Sequence, residues 1–166
     1  LAVGDYNLDG FFDFYMTNIG NNVLLSNNGD GRFSDSTAAS RTGLGLLRSG
    51  SRVAWGTFFF DYDNDRDEDL YVVSGFLNAK NVRNPGQQPN ILLRNNGDGT
   101  FTDVSPGSGA DEPGVGRGGV YLDYDNDGSR EKYLLPLDRI NTRTIDRFGG
   151  TVLHSSRVSP TRMRSL

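Results

Sequence analysis

The sequence predicts an all-β fold of four-stranded antiparallel blades of a β-propeller, about two and a half of them, forming an incomplete ring. Three observations lead there. An acidic nine-residue loop occurs three times, starting at Asp5, Asp61 and Asp123. An Asn-Asn-Gly-Asp-Gly turn follows the first two, at 27–31 and 95–99. Only 35% of the 166 residues are hydrophobic while 22 are Gly, a balance that suits short strands and tight turns better than helices.

The middle repeat shows the strand plan most fully. Val53 to Asp61 is apolar and aromatic and reads as the first strand. The acidic loop follows, and Leu70-Tyr71-Val72-Val73 reads as the second strand. Asn90 to Arg94 supplies the third. Asn96-Gly97-Asp98-Gly99 is a hairpin turn, because Asn, Asp and Gly tolerate positive φ, and Thr100 to Val104 supplies the fourth. Asn22 to Phe33 matches Asn90 to Phe101, so the first repeat has the same plan with most of its opening strand missing. The third shows Val120-Tyr121-Leu122, its loop and Tyr133-Leu134-Leu135 before the pattern fades. The resulting divisions are blade 1 at 1–49, blade 2 at 50–112 with an inserted loop at 75–89, the start of blade 3 at 113–135, and a basic unpatterned segment at 136–166.

Charge narrows the function. The net charge is −4, but residues 1–128 carry 18 acids against 9 bases, and residues 129–166 carry 3 against 8. The acidic part is a poor match for nucleic-acid phosphates, which need clustered Lys and Arg. With no Cys, disulfides and thiolate metal sites are excluded. No run is long and apolar enough for a membrane span, and no Asn-x-Ser/Thr sequon occurs. Leu1-Ala2-Val3 already reads as strand, so the expectation is a chain that begins inside a larger protein, with any export signal upstream.

Clustered carboxylates attract hard cations. Calcium takes six to eight oxygens, and acids alternating along a tight loop can converge on one point. Loop positions 1, 3, 5 and 9 offer Asp5, Asn7, Asp9 and Asp13; Asp61, Asp63, Asp65 and Asp69; and Asp123, Asp125, Asp127 and Glu131. Gly10 and Gly128 at position 6 permit a sharp turn, while Arg66 stands there in the middle loop. An EF-hand shares the opening spacing but needs an acid at position 12, where this chain has Met16, Val72 and Leu134. The bland alternative is a set of polar turns. Three loops with oxygen-bearing residues at matching positions argue against it. Ca2+ fits better than magnesium, which dehydrates reluctantly and demands strict octahedral geometry.

Other signals are weaker. Gly114-Val115-Gly116-Arg117-Gly118-Gly119 contains G-x-G-x-x-G but precedes a strand, so a dinucleotide site is not expected. Trp55 and Phe58-Phe59-Phe60 could stack on sugars, though packing between blades explains them more simply. Tyr15, Tyr71 and Tyr133 share one repeat position, as blade packing would produce. His154, the sole His, lies in the unpatterned tail. The clustered acids are already assigned to loops, which leaves no pair for glycoside chemistry.

The loop Asp-x-Asp/Asn-x-Asp-Gly-x-x-Asp followed by a short apolar strand resembles FG-GAP/VCBS repeats, the blades of integrin-α-type propellers. Phe59 to Asp65, Asp69 to Val72 and Asn90 to Asp103 are similar to bacterial relatives of cartilage acidic protein. Over residues 1–135 the resemblance implies calcium in the loops, about seven blades in a complete ring, and an extracellular or cell-surface adhesion role. Departures are the missing Phe-Gly…Gly-Ala-Pro motif, Arg66 in place of Gly and Glu131 in place of Asp. The expected function is therefore a non-catalytic calcium-binding repeat module recognising an extracellular protein or glycan. The alternatives are a lectin-like propeller and the accessory propeller of a larger secreted enzyme. Two and a half blades leave sheet edges open, so self-association or membership of a longer chain is expected.

Overall fold

A computed structural model describes residues 1–44, 46–47, 50–76, 88–111, 113–121 and 137–138. The strands of the first repeat are β1 (Ala2–Gly4), β2 (Asp13–Met16), β3 (Val23–Asn27) and β4 (Phe33–Asp35), joined in that order into one antiparallel sheet. A single helical turn, α1 (Thr37–Ser40), follows, and then the short pair β5 (Leu46–Leu47) and β6 (Gly50–Ser51). The second repeat is built from β7 (Ala54–Phe60), β8 (Asp69–Ser74), β10 (Ile91–Asn95) and β11 (Phe101–Asp103), again hydrogen-bonded in chain order. Between them β9 (Gln88–Pro89) pairs with β12 (Pro113–Gly114). β13 (Gly116–Gly118) pairs with β14 (Leu137–Asp138).

The two blades share one register. Val3 faces Phe14, Tyr15 faces Leu24 and Leu25 faces Asp35. At the same positions Phe59 faces Leu70, Tyr71 faces Leu92 and Leu93 faces Asp103. Because side chains alternate across a strand, this register sorts each blade into a tyrosine face and an aliphatic-aromatic face. The tyrosine face of blade 1 packs on the opposite face of blade 2. Their shared core includes Tyr6, Tyr15 and Leu24 from blade 1 and Phe59, Leu70 and Leu93 from blade 2. The tyrosine face of blade 2 forms a second core from Phe60, Tyr71, Val73 and Leu92. Tyr121 of the third repeat lies against it, its ring 5.2 Å from Phe58 and 5.4 Å from Phe60. The repeated tyrosines do pack blades: Tyr15 and Tyr71 are buried, and their hydroxyls donate to the carbonyls of Thr42 and Ala110 at 2.8 and 2.9 Å.

The structure adds detail to the segments that lacked periodicity. Gln88 and Pro89, at the end of the stretch read as an inserted loop, form a strand. The Gln88 side chain accepts the Val53 amide at 3.0 Å. The glycine-rich stretch does not merely precede a strand, because Gly116–Gly118 is one. It needs glycine for close approach. A Cβ on Gly116 would collide with the Val73 side chain, so that contact closes only without a side chain, and one on Gly56 would lie 2.8 Å from the Gly118 Cα. The expected strand at Val120-Tyr121-Leu122 is not formed at Val120 and Tyr121, and Leu122, the third loop and Tyr133 to Leu135 fall outside the described residues. So do His154 and nearly all of the basic tail.

Gly4 shows how tightly blade 1 meets blade 2. A Cβ there would meet the Glu68 carboxylate and come within 2.6 Å of the Phe59 ring. Phe59 cannot withdraw without opening the shared core. Gly4→Ala is therefore expected to destabilise the chain by about 1–3 kcal/mol through overpacking. Urea unfolding would measure it, and an unchanged midpoint would show that the interface between the blades gives way freely.

Candidate metal centre

Both described acidic loops are held by the same hydrogen bonds. The position-1 carboxylate accepts two amides: Asp5 from Asp9 and Gly10 at 3.0 and 2.9 Å, and Asp61 from Asp65 and Arg66 at 3.1 and 3.0 Å. The position-5 carboxylate accepts the amide two residues on, Phe11 for Asp9 and Asp67 for Asp65, each at 2.9 Å. Such turns wind the chain tightly round the acids. They demand positive φ at position 6, where Gly10 has φ 89° and Arg66 has φ 82°. Position 4 is left-handed as well, with Leu8 at 56° and Asn64 at 62°. That second site was not apparent from the sequence, since Leu is an unusual occupant of this conformation.

Position 9 ties the loop to the sheet. Asp13 and Asp69 open β2 and β8, are completely buried, and accept the amides of Asn27 and Asn95 at 2.8 Å. Asn27 and Asn95 begin the hairpin turns, so one carboxylate joins loop, second strand and third strand. The other Asp69 oxygen accepts the Tyr62 amide at 2.8 Å. The other Asp13 oxygen is buried with no hydrogen-bond partner, and the Tyr6 amide eases its charge without reaching hydrogen-bonding geometry.

The carboxylates of Asp61, Asp63 and Asp65 lie together, each offering an oxygen within 4.8 Å of the others. Asp69 stands outside that group, at the base of the loop. In the first loop Asn7 donates to Asp9 at 2.9 Å. Asp123, Asp125, Asp127 and Glu131 lie outside the described residues.

The electrostatics follow from burial and crowding. Burial, chiefly, pushes the Asp69 carboxyl up to about 7, against the pull of the Tyr62 and Asn95 amides and with added repulsion from Asp63 and Asp65. Burial also raises Asp13, opposed by the Asn27 amide and reinforced by Asp9 and Asp5. Asp63 is raised by burial and then by Asp65 and Asp61. Buried or crowded acids with a partnerless oxygen fit a hard, oxygen-seeking cation such as Ca2+.

Most of the aromatics weighed for sugar stacking are engaged within the fold. Arg117 sits 4.2 Å above the Trp55 ring, and Trp55 Nε1 donates to the Gly75 carbonyl at 2.6 Å. Phe59 and Phe60 are buried.

Two outcomes are expected from this geometry. Arg66→Gly relieves a left-handed residue that costs roughly 1 kcal/mol. It also removes a positive charge beside the acids. Greater flexibility of the unfolded chain offsets about 0.4–1 kcal/mol. Calcium affinity, measured by calorimetry, should therefore rise more clearly than melting temperature. Weaker binding would mean that the Arg66 side chain holds the loop.

The second outcome concerns pH. Asp69 titrates near 7 when folded and near its ordinary 3.8 when unfolded, so between those values the folded chain binds more protons. In chelator, stability should fall as pH rises from about 4 to 7 and level off above. Asp13 and Asp63 act in the same direction. Exposed Asp35 and Asp98 are lowered by the Thr37 and Thr100 hydroxyls and act only at more acidic pH. A bound cation keeps the carboxylates ionised, so calcium should flatten the profile. Denaturant midpoints at pH 5 and 8, with calcium and with chelator, test both halves.

Comparison with known families gives one finding that bears on this architecture: residues 5–72 match the family model described as FG-GAP-like repeat. Comparison with curated proteins gives no match. The matched span runs from the first acidic loop through the second loop and into β8. Residues 5–72 are thus similar to an FG-GAP-like repeat, and the strands around them form antiparallel four-stranded blades of the β-propeller kind.

Proposed function

We propose that the chain is a non-catalytic, calcium-binding repeat module that serves extracellular protein or cell-surface recognition. The observation that carries the calcium reading is the convergence of the Asp61, Asp63 and Asp65 oxygens within 4.8 Å. Asp13 adds support, because a buried carboxylate oxygen without a donor is costly unless something positive meets it. The ligand set extends to Asp5, Asn7, Asp9, Asp13 and Asp69 on the described loops, and by repeat to Asp123, Asp125, Asp127 and Glu131.

Without a cation, each pair of loop carboxylates repels by about 1 kcal/mol in water, and by more where water is partly excluded. A loop wound this tightly cannot spread them. Each loop backbone is fixed by two amide bonds to its own position-1 carboxylate, Asp5 or Asp61. Exposed calcium loops of this kind bind at about 10⁻⁴–10⁻³ M, which suits the calcium level outside cells. Among the described residues no helix is long and apolar enough to cross a membrane. Recognition then falls to surface loops and sheet faces, with the metal holding those loops in shape.

At about 1 mM calcium and a Kd near 10⁻⁴ M, each site should add roughly 1.4 kcal/mol of stability. The melting temperature should therefore rise on adding calcium and fall again with chelator. Asp63→Asn should shrink that rise while leaving the metal-free protein as stable or slightly more so, since one repelling charge is gone. Equal melting in calcium and chelator would overturn the reading.

A further inference from the structure

The chain has two Asn-Gly pairs, Asn28-Gly29 and Asn96-Gly97, one in each hairpin turn. An Asn followed by Gly is especially open to spontaneous loss of ammonia, because Gly has no Cβ to shield its own backbone nitrogen. The turns share the same five residues, Asn-Asn-Gly-Asp-Gly, so a difference in their reactivity must come from the fold. Both Asn28 and Asn96 are exposed. Asn96 is exposed with blade 1 stacked beside its own blade, so the packing of one blade on the next leaves this turn in water. In both turns the Gly amide donates to the preceding Asn pair's first side chain, Gly29 to Asn27 Oδ1 at 3.0 Å and Gly97 to Asn95 Oδ1 at 3.1 Å. The restraints on the reacting side chain differ. Asn28 is held at one end, where its Oδ1 accepts the Ser34 hydroxyl at 3.0 Å. Asn96 is held at both ends: Oδ1 accepts the Thr102 hydroxyl at 3.0 Å, and Nδ2 donates to Thr100 Oγ1 at 2.9 Å. The Thr100 hydroxyl is itself fixed by donating to Asp98 at 2.6 Å. Arg32 stands where Thr100 does and has no hydroxyl to offer. The neighbours over the two glycines differ as well. A Cβ on Gly97 would lie 2.8 Å from the Asp67 carboxylate, whereas one on Gly29 would lie 2.7 Å from the Phe11 ring.

We propose that Asn28 is a site of spontaneous deamidation in the folded chain and that Asn96 is its protected counterpart. The Gly29 nitrogen attacks the carbonyl carbon of the Asn28 side chain. A new C–N bond forms, the bond to Nδ2 breaks, and the proton from the Gly29 nitrogen leaves with Nδ2 as ammonia. Water then opens the five-membered imide at either carbonyl, giving aspartate by one route and isoaspartate by the other. The net change is one ammonia lost and one water gained. For Asn96, both ends of the side chain must be released before its carbonyl can turn to Gly97. The Asp67 charge also opposes loss of the proton from the Gly97 amide, where the Phe11 ring beside Gly29 is neutral. The isoaspartyl product adds one carbon to the main chain of the turn and a negative charge at residue 28. That carbon enters between the Asn28 amide, which donates to the Arg32 carbonyl at 2.9 Å, and the Gly29 amide. The turn that presents the Asn27 amide to buried Asp13 is then loosened, so the reaction reaches the first acidic loop.

Peptide mass spectrometry of the whole chain, aged in mildly alkaline buffer with chelator throughout, tests the proposal independently of the calcium reading. In the folded chain Asn28 should deamidate at least about fivefold faster than Asn96, the factor that one ordinary side-chain hydrogen bond supplies. In concentrated urea the two rates should converge. Thr100→Val should speed Asn96, and Arg32→Thr, which places the same hydroxyl beside Asn28, should slow that site, each by about fivefold. The second variant keeps the test open should the first fail to fold. Equal rates in the folded chain, a faster Asn96, no reaction at Asn28 while it reacts in urea, or a difference that persists in urea would overturn the proposal. So would rates indifferent to both substitutions.

Discussion

One buried carboxylate per blade governs the rest of the architecture. Asp13 and Asp69 begin the second strand, close the acidic loop and receive the amide at the start of the hairpin turn. Each is sealed from water, with neither side chain showing any exposure. No cationic side chain is paired with either of them among the described residues, so hydrogen bonds from backbone amides carry the stabilisation. Burial outweighs those bonds, as the rise of Asp69 to about 7 shows. A blade of this kind therefore buries an acid at a cost, and the surrounding loop is arranged so that a cation could remove that cost. Structure and the proposed metal affinity share one residue.

That coupling accounts for what the sequence revealed and what it concealed. The spacing of acids, the Asn-Asn-Gly-Asp-Gly turns and the tyrosine repeat are local patterns, and in the first two repeats they appear in the strands and turns as expected. Positive φ at position 6 was legible because Gly10 announces it, and Arg66 at 82° confirms that the backbone demand overrides the residue. Leu8 at position 4 gave no such signal. Leu8 is held in the left-handed region by the loop's amide-to-carboxylate bonds, which no propensity scale anticipates. Pairs such as β9 with β12 are two residues long, so they carry no periodicity to detect. The roles of Gly4 and Gly116 depend on partners more than 40 residues away, at Phe59 and Val73, and only the folded chain brings them together.

The acidic loops were legible as a pattern but not as a geometry. Asp61, Asp63 and Asp65 converge, while Asp69 stands at the base of the loop engaged with two amides. Each carboxylate oxygen has two lone pairs, so an accepted amide bond still leaves capacity for a cation. The first loop reaches a similar frame with fewer charges, since Asn7 replaces an acid and bonds to Asp9.

The two loops consequently sit at different balances of charge and shape. The middle loop has Asp at position 3, further acids at Asp67 and Glu68, and Arg66 where Gly relaxes the turn. Its metal-free form carries more repulsion, so a cation gains more there by Coulomb attraction. Yet Glu68 is committed elsewhere, because its carboxylate accepts the Asp5 amide and so links the second loop to the first. The Asn95 bond to Tyr6 makes the same link from the hairpin. Ordering the second loop therefore steadies the entry to the first across the interface between blades. The second acidic loop is thus fastened both to its own sheet and to the loop of the preceding blade, so loop order and blade packing rise and fall together.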